Sequence, residues 1–277
     1  MNFQEKYMLT PELCTASEKV RCVPEITVLL CTDRDDKLLN RAIRSCLSQS
    51  FRNFEILIIA NGANALDLSC ILKYRYISEP RITVHATEIR DLNFSLDFGL
   101  HLASGEFLAR MDSDDEMHPD RLTIQHDYLR NNPEVGVVGS FYTLIDQHSV
   151  ERGLVRLPIF NAQIRFRMYY SSPFCHPSVT FRTNLIRKAG GYRGGKSAED
   201  YDLWSRLHLD HSIVFHNIPE FLLRYNVDEE GESRRSRTAY ANVAGVQLRN
   251  FLLSWNIHWL LGTFFTISKL IFKSNKA

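Results

Sequence analysis

The sequence lacks the patterns that mark several large classes of protein. Its six cysteines form no Cys-x-x-Cys pair, which argues against a structural zinc site or a dithiol redox centre. In a chain of 277 residues they are predicted to be reduced thiols in a cytosolic compartment. The chain also has no His-Glu-x-x-His, no serine nucleophile elbow and no Gly-x-Gly-x-x-Gly loop. Metalloprotease, serine hydrolase and dinucleotide-binding functions therefore lose support.

An excess of charge of either sign is missing as well. The net charge is +1, so no nucleic-acid-binding surface is expected. The hydrophobic content of 44% and the charged content of 23% are ordinary for a globular protein. The opening segment "MNFQEKYMLTPELCTASEKV" is polar and has no apolar core, so no secretory signal is predicted.

From residue 25 to 145, short apolar runs rich in β-branched residues alternate with helical patterns. Gly105 is expected to end the third helix, and Pro119 to stand at the start of the fourth. The alternation predicts βαβ units, and hence an α/β fold with a mostly parallel central sheet flanked by helices. Strands are predicted at 25–32, 54–62, 81–87, 106–112 and 135–145, and helices at 35–50, 65–77, 92–104 and 118–133.

The second half of the chain has a less regular pattern. Residues 171–192 mix turns with a short strand and a helix, and 197–210 form an amphipathic helix with Leu203, Trp204 and Leu207 facing inward. A strand follows at 212–218. The expected organisation is a lead-in at 1–23, one α/β domain at 24–237 and an amphipathic helical tail at 238–277.

An acidic cluster follows the fourth predicted strand, in "GEFLARMDSDDEMHPDR". Ligands of open α/β sheets bind beyond the carboxyl ends of strands, so this position favours a ligand site. Asp112 and Asp114 are spaced to share a hard divalent cation with a diphosphate. The alternative is a solvated turn that caps the next helix. Asp115 and Glu116 are assigned to that helix in either case.

A glycine-rich segment, "GGYRGGKS" at 190–197, matches the P-loop pattern letter for letter. A P-loop follows a buried strand, whereas the preceding "NLIRKA" is basic and helical in pattern. A P-loop phosphotransferase is therefore disfavoured, and a flexible glycine loop is the better interpretation.

Two further candidates come from the second half. Glu199 and Asp200 in "AEDYDLW" open a predicted helix, where acidic residues usually complement the helix dipole. They can also supply a general base on a rigid helix end. His176 in "PFCHPSV" has a structural alternative too, because a single histidine beside proline is more often structural than catalytic.

The tail at 250–276 combines aromatic residues with terminal lysines but has too many polar residues for a spanning helix. It is typical of a helix that lies in the membrane interface. The alternative is a helix packed on the domain or on a second subunit.

Taken in order, these segments resemble the bacterial family 2 glycosyltransferases, which have the GT-A fold. The likeness runs from about residue 25 to 235. It rests on "ITVLLCT…LNRAIRSCLSQSFRNFEILII", "GEFLARMDSDDEMHPDRL", "HPSVTFR", "GGY" and "AEDYDLWSRL".

The resemblance implies inverting sugar transfer from a nucleoside-diphosphate sugar, most often a UDP-sugar. It assigns the Mn²⁺ or Mg²⁺ ion and the donor diphosphate to Asp112 and Asp114. It makes Asp200 the general base with Glu199 as its neighbour, and puts His176 near the acceptor.

The chain departs from the family at three places. The first strand ends in "CTDR", so Thr32 and Arg34 are the donor-binding candidates there. After the second strand, Asn61 stands where the family often has an aspartate that contacts the donor base. It can still accept a hydrogen bond from uracil N3–H, but without charge, so the alternatives are a donor with a different base and a weak donor site. Asp228 stands where the family often has a metal-contacting histidine.

The expected pathway is assembly of a bacterial surface polysaccharide such as O-antigen or capsule. The acceptor would be a lipid-linked saccharide, which places the enzyme at the cytoplasmic face of the plasma membrane with the tail as a peripheral contact. The alternatives are a non-catalytic protein of the same fold, acting as a scaffold, and a nucleotidyltransferase. The latter would need a glycine-rich basic loop after the first strand, which "CTDRDD" does not provide.

Overall fold

A computed structural model describes residues 23–195, 197–227 and 236–274 of the chain. The lead-in predicted at 1–23 lies almost wholly outside these residues.

The described residues form a mixed α/β structure. Its strands are β1 (Ile26–Thr32), β2 (Phe54–Asn61), β3 (Ile82–Thr87), β4 (Phe107–Met111), β5 (Glu116–Met117), β6 (Val135–Ile145), β7 (Glu151–Val155), β8 (Thr180–Arg182) and β9 (Val214–Asn226). Its helices are α1 (Lys37–Leu47), α2 (Ala65–Arg75), α3 (Leu92–Leu102), α4 (Arg121–Asn131), α5 (Asn161–Met168), α6 (Thr183–Lys188), α7 (Glu199–His208), α8 (Arg237–Ser254) and α9 (Ile257–Ser274).

The strands share one sheet in the order β3-β2-β1-β4-β8-β6-β9-β5, with β7 paired to β6. The first four strands in this order are parallel, so β1, β2 and β4 end at the same edge. The α/β prediction is confirmed. The parallel arrangement holds for these four strands, and the sheet becomes mixed beyond them because β8 runs antiparallel between β4 and β6.

Strand β1 is buried on both faces, as its unbroken apolar run predicts. Val28 and Leu30 pack with α1, α2 and α4 on one side of the sheet. Leu29 and Cys31 pack with α3 and the later helices on the other side. Packing on both faces of the sheet therefore fixes the positions of the strand ends, independently of the loops that follow them.

Some predicted boundaries are wrong. Helix α3 ends at Leu102, before Gly105. A Cβ at Gly105 would lie 2.5 Å from the backbone nitrogen of Thr27, so the glycine is needed for close approach to β1 rather than for a helix end. Helix α4 begins at Arg121, two residues after Pro119. The short elements β5, β7 and α5 were not predicted, because they are too brief or too polar to carry a periodic signal.

The helical tail consists of two helices rather than one. Trp255 adopts a left-handed backbone conformation with φ of 54° and ends α8. Helix α9 then packs back on the domain and buries Trp259, Thr263 and Thr266, while Phe264 stays exposed. The packing alternative for the tail thus concerns the buried face of α9, and the membrane alternative concerns its exposed face. No helix in the described part of the chain has the length and apolarity to cross a membrane.

Candidate active site

A cavity of about 410 Å³ opens at the edge where β1, β2 and β4 end. The chain reaches this edge three times with polar residues, because each buried strand stops there and gives way to a polar loop. All five residues predicted to bind the donor line this cavity; they are Thr32, Arg34, Asn61, Asp112 and Asp114. Their roles stay predictions, but the structure does bring them together.

The loop after β1 is folded back on itself. The Thr32 hydroxyl donates to the Arg34 carbonyl oxygen at 2.8 Å and accepts from the Arg34 amide at 3.3 Å. The Arg34 guanidinium pairs with Asp36 at 3.1 Å and with Asp114 at 3.6 Å. Asp36 in turn caps α1 by accepting from the Leu39 amide at 2.8 Å. Helix α1 therefore fixes the loop that carries one cation beside the acidic cluster.

Asn61 is held in one orientation at the end of β2. Its Nδ2 donates to the Ser95 hydroxyl oxygen at 2.8 Å, and that hydroxyl donates to the Asp91 carbonyl oxygen at 2.8 Å. Since the hydroxyl proton is already used, the amide nitrogen of Asn61 must face Ser95. The Oδ1 atom of Asn61 is then the acceptor left for a ligand in the cavity.

The acidic cluster is only partly neutralised. The buried guanidinium of Arg110 donates to Asp112 at 2.5 Å. Burial, together with the charge of Asp112, raises the pKa of Asp114. Asp115 is almost completely buried, and burial with the charges of Asp112 and Asp114 raises its pKa well above the usual range. Three carboxyl groups thus crowd one strand end.

Asp115 and Glu116 do not serve helix α4, and that prediction is wrong. Asp115 Oδ1 accepts from the Asn226 amide at 2.8 Å and ties the strand end to β9. Glu116 pairs with Arg41 at 3.2 Å and with Arg224 at 3.1 Å. Both residues face neighbouring elements that are distant in sequence.

The residues present fit a cation that binds together with a diphosphate. Asp115 Oδ2 is buried without a hydrogen-bond partner among the described residues, so the cluster contains an unsatisfied polar atom beside Asp112 and Asp114. Across 23–195, 197–227 and 236–274, no group of three or more His, Cys, Asp or Glu side chains forms a ready metal cage. Mg²⁺ commonly takes one or two carboxylates and completes its shell with phosphate oxygens, so Asp112 and Asp114 are a suitable pair. Asp228 lies outside the described residues.

The second half of the site begins at the amino end of α7. Gly194 packs so closely against this end that a Cβ there would lie 2.6 Å from the Ala198 carbonyl oxygen. Asp200 Oδ2 lies 3.5 Å from the Ser172 hydroxyl. Burial, together with the charge of Asp200, raises the pKa of Glu199. The two acidic residues are therefore held on a rigid helix end.

The glycine segment at 190–197 follows helix α6 rather than a strand. The buried strand that a P-loop requires is therefore absent from the position before it, as its sequence predicted. Lys196, the lysine of the P-loop pattern, lies outside the described residues.

His176 lies between the two halves. Its Nε2 is 3.0 Å from the Tyr192 hydroxyl. Burial and the nearby Arg110 hold the pKa of His176 well below its usual range, so the imidazole is neutral at pH 7. A neutral ring in a hydrogen bond can orient a partner but carries no charge. Its predicted place near an acceptor stays a prediction.

The two halves meet across Cys175 and Tyr192. Burial raises the pKa of the Cys175 thiol, and the charges of Asp115, Asp112 and Asp200 raise it further. Burial likewise raises the pKa of Tyr192. The charge of Arg110 lowers this pKa, and the charge of Asp200 raises it. Because the charges of both acidic groups act on one buried thiol, both groups lie near Cys175.

Sequence reasoning missed Arg110, Ser172 and Tyr192. Arg110 had a usable signal, because an arginine inside a buried strand next to an acidic cluster needs a carboxylate partner. Ser172 and Tyr192 had none, since their positions depend on contacts between segments that are far apart in the chain.

The sequence of the chain is similar to those of known proteins. The sequence profile of the family "Glycosyl transferase family 2" matches residues 27–188. The O-antigen biosynthesis glycosyltransferase WbnJ of Escherichia coli is 32% identical over 92% of this chain and 99% of its own length. The UDP-Gal:alpha-D-GlcNAc-diphosphoundecaprenol beta-1,3-galactosyltransferase of Escherichia coli is 26% identical over 79% of this chain and 80% of its own.

The fold is also similar to that of a solved structure. TarS 1-349 of S. aureus, in complex with UDP-GlcNAc, superposes with a TM-score of 0.65 at 17% identity. The match covers 82% of this chain and 66% of that one, so this chain spans slightly less than two thirds of TarS 1-349. The likeness confirms the predicted GT-A fold.

Proposed function

The chain belongs to glycosyl transferase family 2, and we propose that it is an inverting enzyme that transfers a sugar from a UDP-sugar to a hydroxyl of a lipid-linked saccharide. The name of one relative states O-antigen biosynthesis, which supports a role in assembling a bacterial surface polysaccharide. The name of another states a UDP-Gal donor and an acceptor carried on diphosphoundecaprenol.

The observation that carries this proposal is that Asp112, at the strand end, and Asp200, on α7, both lie near the buried thiol of Cys175. The charges of Asp112 and Asp200 both raise the pKa of this thiol, which supports a short distance between the strand end and the amino end of α7. A transfer reaction needs a leaving group on one side of the reacting carbon and an activated nucleophile on the other. The two acidic groups supply one side each.

In the proposed mechanism, Asp200 accepts the proton of the acceptor hydroxyl as its oxygen bonds to the anomeric carbon. The bond from that carbon to the diphosphate oxygen breaks in the same step, and the configuration inverts. The Ser172 hydroxyl, 3.5 Å from Asp200 Oδ2, orients the carboxylate. Burial lowers the pKa of Arg110, but Asp112, Cys31 and Tyr192 together raise it above its usual range, so Arg110 stays cationic.

Asp112 and Asp114 are the proposed ligands of a divalent cation, Mn²⁺ or Mg²⁺. Such an ion would supply positive charge to the diphosphate as it leaves. Asp228 is a further proposed ligand and lies outside the described residues. Chelation is expected to weaken UDP-sugar binding in a calorimetric titration, and binding that is independent of divalent cations would contradict this assignment.

Asn61 is the proposed acceptor for uracil N3–H. Its Oδ1 is available to a ligand because Nδ2 is engaged with Ser95. Asn61→Ala is expected to weaken UDP binding by about 1 kcal/mol, which is the net worth of one hydrogen bond. Unchanged UDP affinity would show that the base binds elsewhere.

The base assignment is tested with Asp200→Asn. Transfer to a saccharide acceptor is expected to fall by about 10²- to 10⁴-fold, because the amide cannot accept the proton. Asp67→Asn, an exposed carboxylate in the first turn of α2, is the matched control and should keep wild-type activity. An Asp200→Asn protein with full activity would refute the assignment.

The outer face of α8 and α9 is the proposed membrane contact. Leu253, Trp255 and Phe264 are exposed there to 66%, 77% and 62%. The chain has no acidic residue from 236 to 277, so an anionic bilayer would not be repelled. Phe264→Ser is expected to reduce sedimentation with anionic vesicles, whereas the matched change Ile71→Ser on exposed α2 should not. Equal loss in both variants would contradict a specific contact.

A further inference from the structure

Arg41, on helix α1, holds four groups together behind the acidic strand end. Its guanidinium donates to the Asp114 carbonyl oxygen at 2.7 Å, to the Ser149 hydroxyl at 2.9 Å and to the Gln147 carbonyl oxygen at 3.2 Å. Its Nε lies 3.2 Å from a carboxylate oxygen of Glu116. One side chain of α1 therefore joins the segment after β4 to the turn between β6 and β7.

A second arginine completes this network from β9. Arg224 pairs with the other carboxylate oxygen of Glu116 at 3.1 Å and donates to the Ser149 carbonyl oxygen at 2.7 Å. Glu116 also accepts a hydrogen bond from the Ser149 hydroxyl. Ser149 has a left-handed backbone with φ of 63°, which is unfavourable for a residue with a Cβ. The two arginines and the carboxylate thus hold the turn in this conformation.

The network stands directly behind the cavity at the ends of β1, β2 and β4, which we call the donor cavity. Asp114, whose carbonyl oxygen Arg41 holds, lines this cavity. Tyr225 and Asn226, which follow Arg224 on β9, line it as well. Arg41 itself is not among the described residues of the lining. Arg41 therefore affects a ligand there through the residues that it holds.

Two arginines hold different parts of Asp114. Arg34 reaches its carboxylate at 3.6 Å, from a side chain that is 50% exposed. Arg41 holds its carbonyl oxygen at 2.7 Å, from a side chain that is 19% exposed. The contact of Arg41 is the shorter and the better shielded from water, so it fixes the main chain from which the carboxylate projects. Mg²⁺ demands nearly ideal ligand geometry, which a fixed main chain helps to provide.

We infer that Arg41 is a positioning residue for the proposed cation site: by holding the Asp114 carbonyl oxygen, it keeps the Asp114 carboxylate beside Asp112, where the two can share a cation with the donor diphosphate. This inference rests on the proposed function and deepens it, since it names a residue behind the cavity on which the cation-dependent part of donor binding depends. Arg41 takes part in no covalent step.

The same contacts have a purely structural interpretation, in which Arg41 serves to fasten the turn between β6 and β7. Arg152 provides a control matched for the turn, because its Nε donates to Asp146 at 3.1 Å and so fastens the same turn from β7. Arg224 provides a control matched for charge. It places a cation on Glu116, as Arg41 does, but its second bond goes to the turn and not to Asp114.

The test measures UDP affinity by calorimetry, once with Mn²⁺ and once with a chelator, and takes the ratio of the two affinities. Each arginine is replaced by methionine, which keeps an unbranched stem but donates no hydrogen bond. In Arg41→Met the ratio should fall by about 10-fold, which corresponds to one hydrogen bond from a charged group, while the affinity with chelator stays as in the wild type. Arg152→Met should keep the wild-type ratio, and Arg224→Met should lower it by less than Arg41→Met does.

Two further measurements separate positioning from folding. Urea unfolding of each variant is measured first, and Arg41→Lys replaces Arg41→Met if the latter does not fold. Lysine keeps a cation beside Glu116, but its single ammonium cannot span the turn and Asp114 as the planar guanidinium does, so its ratio should also lie below that of the wild type. The KM for the donor should rise as the ratio falls, while the KM for the acceptor stays unchanged.

An unchanged ratio in Arg41→Met, or an equal fall in either control variant, would overturn the inference. A wild-type ratio in Arg41→Lys would do the same, because charge alone would then be sufficient. Wild-type UDP binding that ignores the cation would refute the cation assignment in the proposed function, and this inference with it. A wild-type protein that binds UDP with a cation but transfers no sugar would refute the proposed reaction, and the ratios would still decide the role of Arg41.

Discussion

Gly262 is where helix α9 comes closest to the domain, and adding one methyl group there should have a large effect. A Cβ at this position would overlap the carbonyl oxygen of Tyr169. That oxygen cannot turn away freely, since it also accepts a hydrogen bond from Gln247 Nε2 at 3.0 Å. Gly245 on α8 provides a matched control, because nothing lies within 4 Å of a Cβ built there.

The expected magnitudes have opposite signs at the two positions. An alanine in an exposed helix interior is about 1 kcal/mol more stable than a glycine, so Gly245→Ala should stabilise the protein by that amount. Gly262→Ala gains the same helix propensity, but overpacking lowers its free energy of unfolding by about 1–3 kcal/mol. If α9 instead lifts away, Trp259, which is 1% exposed, loses up to about 3 kcal/mol of burial. The net destabilisation should therefore reach at most about 2 kcal/mol in either case.

Urea unfolding of the two variants measures this difference directly. If both alanines stabilise the protein equally, α9 does not pack against Tyr169 and the closeness inferred for Gly262 is wrong.

Two more predictions concern the same region. Burial and the nearby Arg165 lower the pKa of His208 to about 4, and His211 acts in the same direction. Below the ordinary value of 6.5 the unfolded chain therefore binds a proton that the folded chain does not, so stability should fall by at most about 3 kcal/mol from pH 6.5 to 4. His208→Phe should flatten this fall in urea unfolding measured at several pH values; a curve as steep as that of the wild type would contradict it. Asp202 is 2% exposed and pairs with Arg249 at 2.5 Å, so Asp202→Asn should lower the free energy of unfolding by about 3 kcal/mol. The double variant with Arg249→Ala should lose less than the sum of the losses in the two single variants. Additive losses would show that the pair is not coupled.

The first half of the fold could be predicted because its strands are buried on both faces. Such strands read as unbroken β-branched runs, and β1, β2 and β4 were placed within one or two residues. The second half depends on pairings that leave no periodic signal. Strand β8 has only three residues, and its antiparallel place between β4 and β6 is fixed by the turn at His176–Ser178 that precedes it.

The candidate site divides in the same way. Asn61 and Asp112 could be placed because each stands at the end of a strand that the sequence predicts. The role of Asp115 could not, since its partner, the amide of Asn226, is 111 positions away in the chain. For Arg110 the sequence indicates only that a buried arginine beside an acidic cluster needs a carboxylate, and the structure identifies that carboxylate as Asp112.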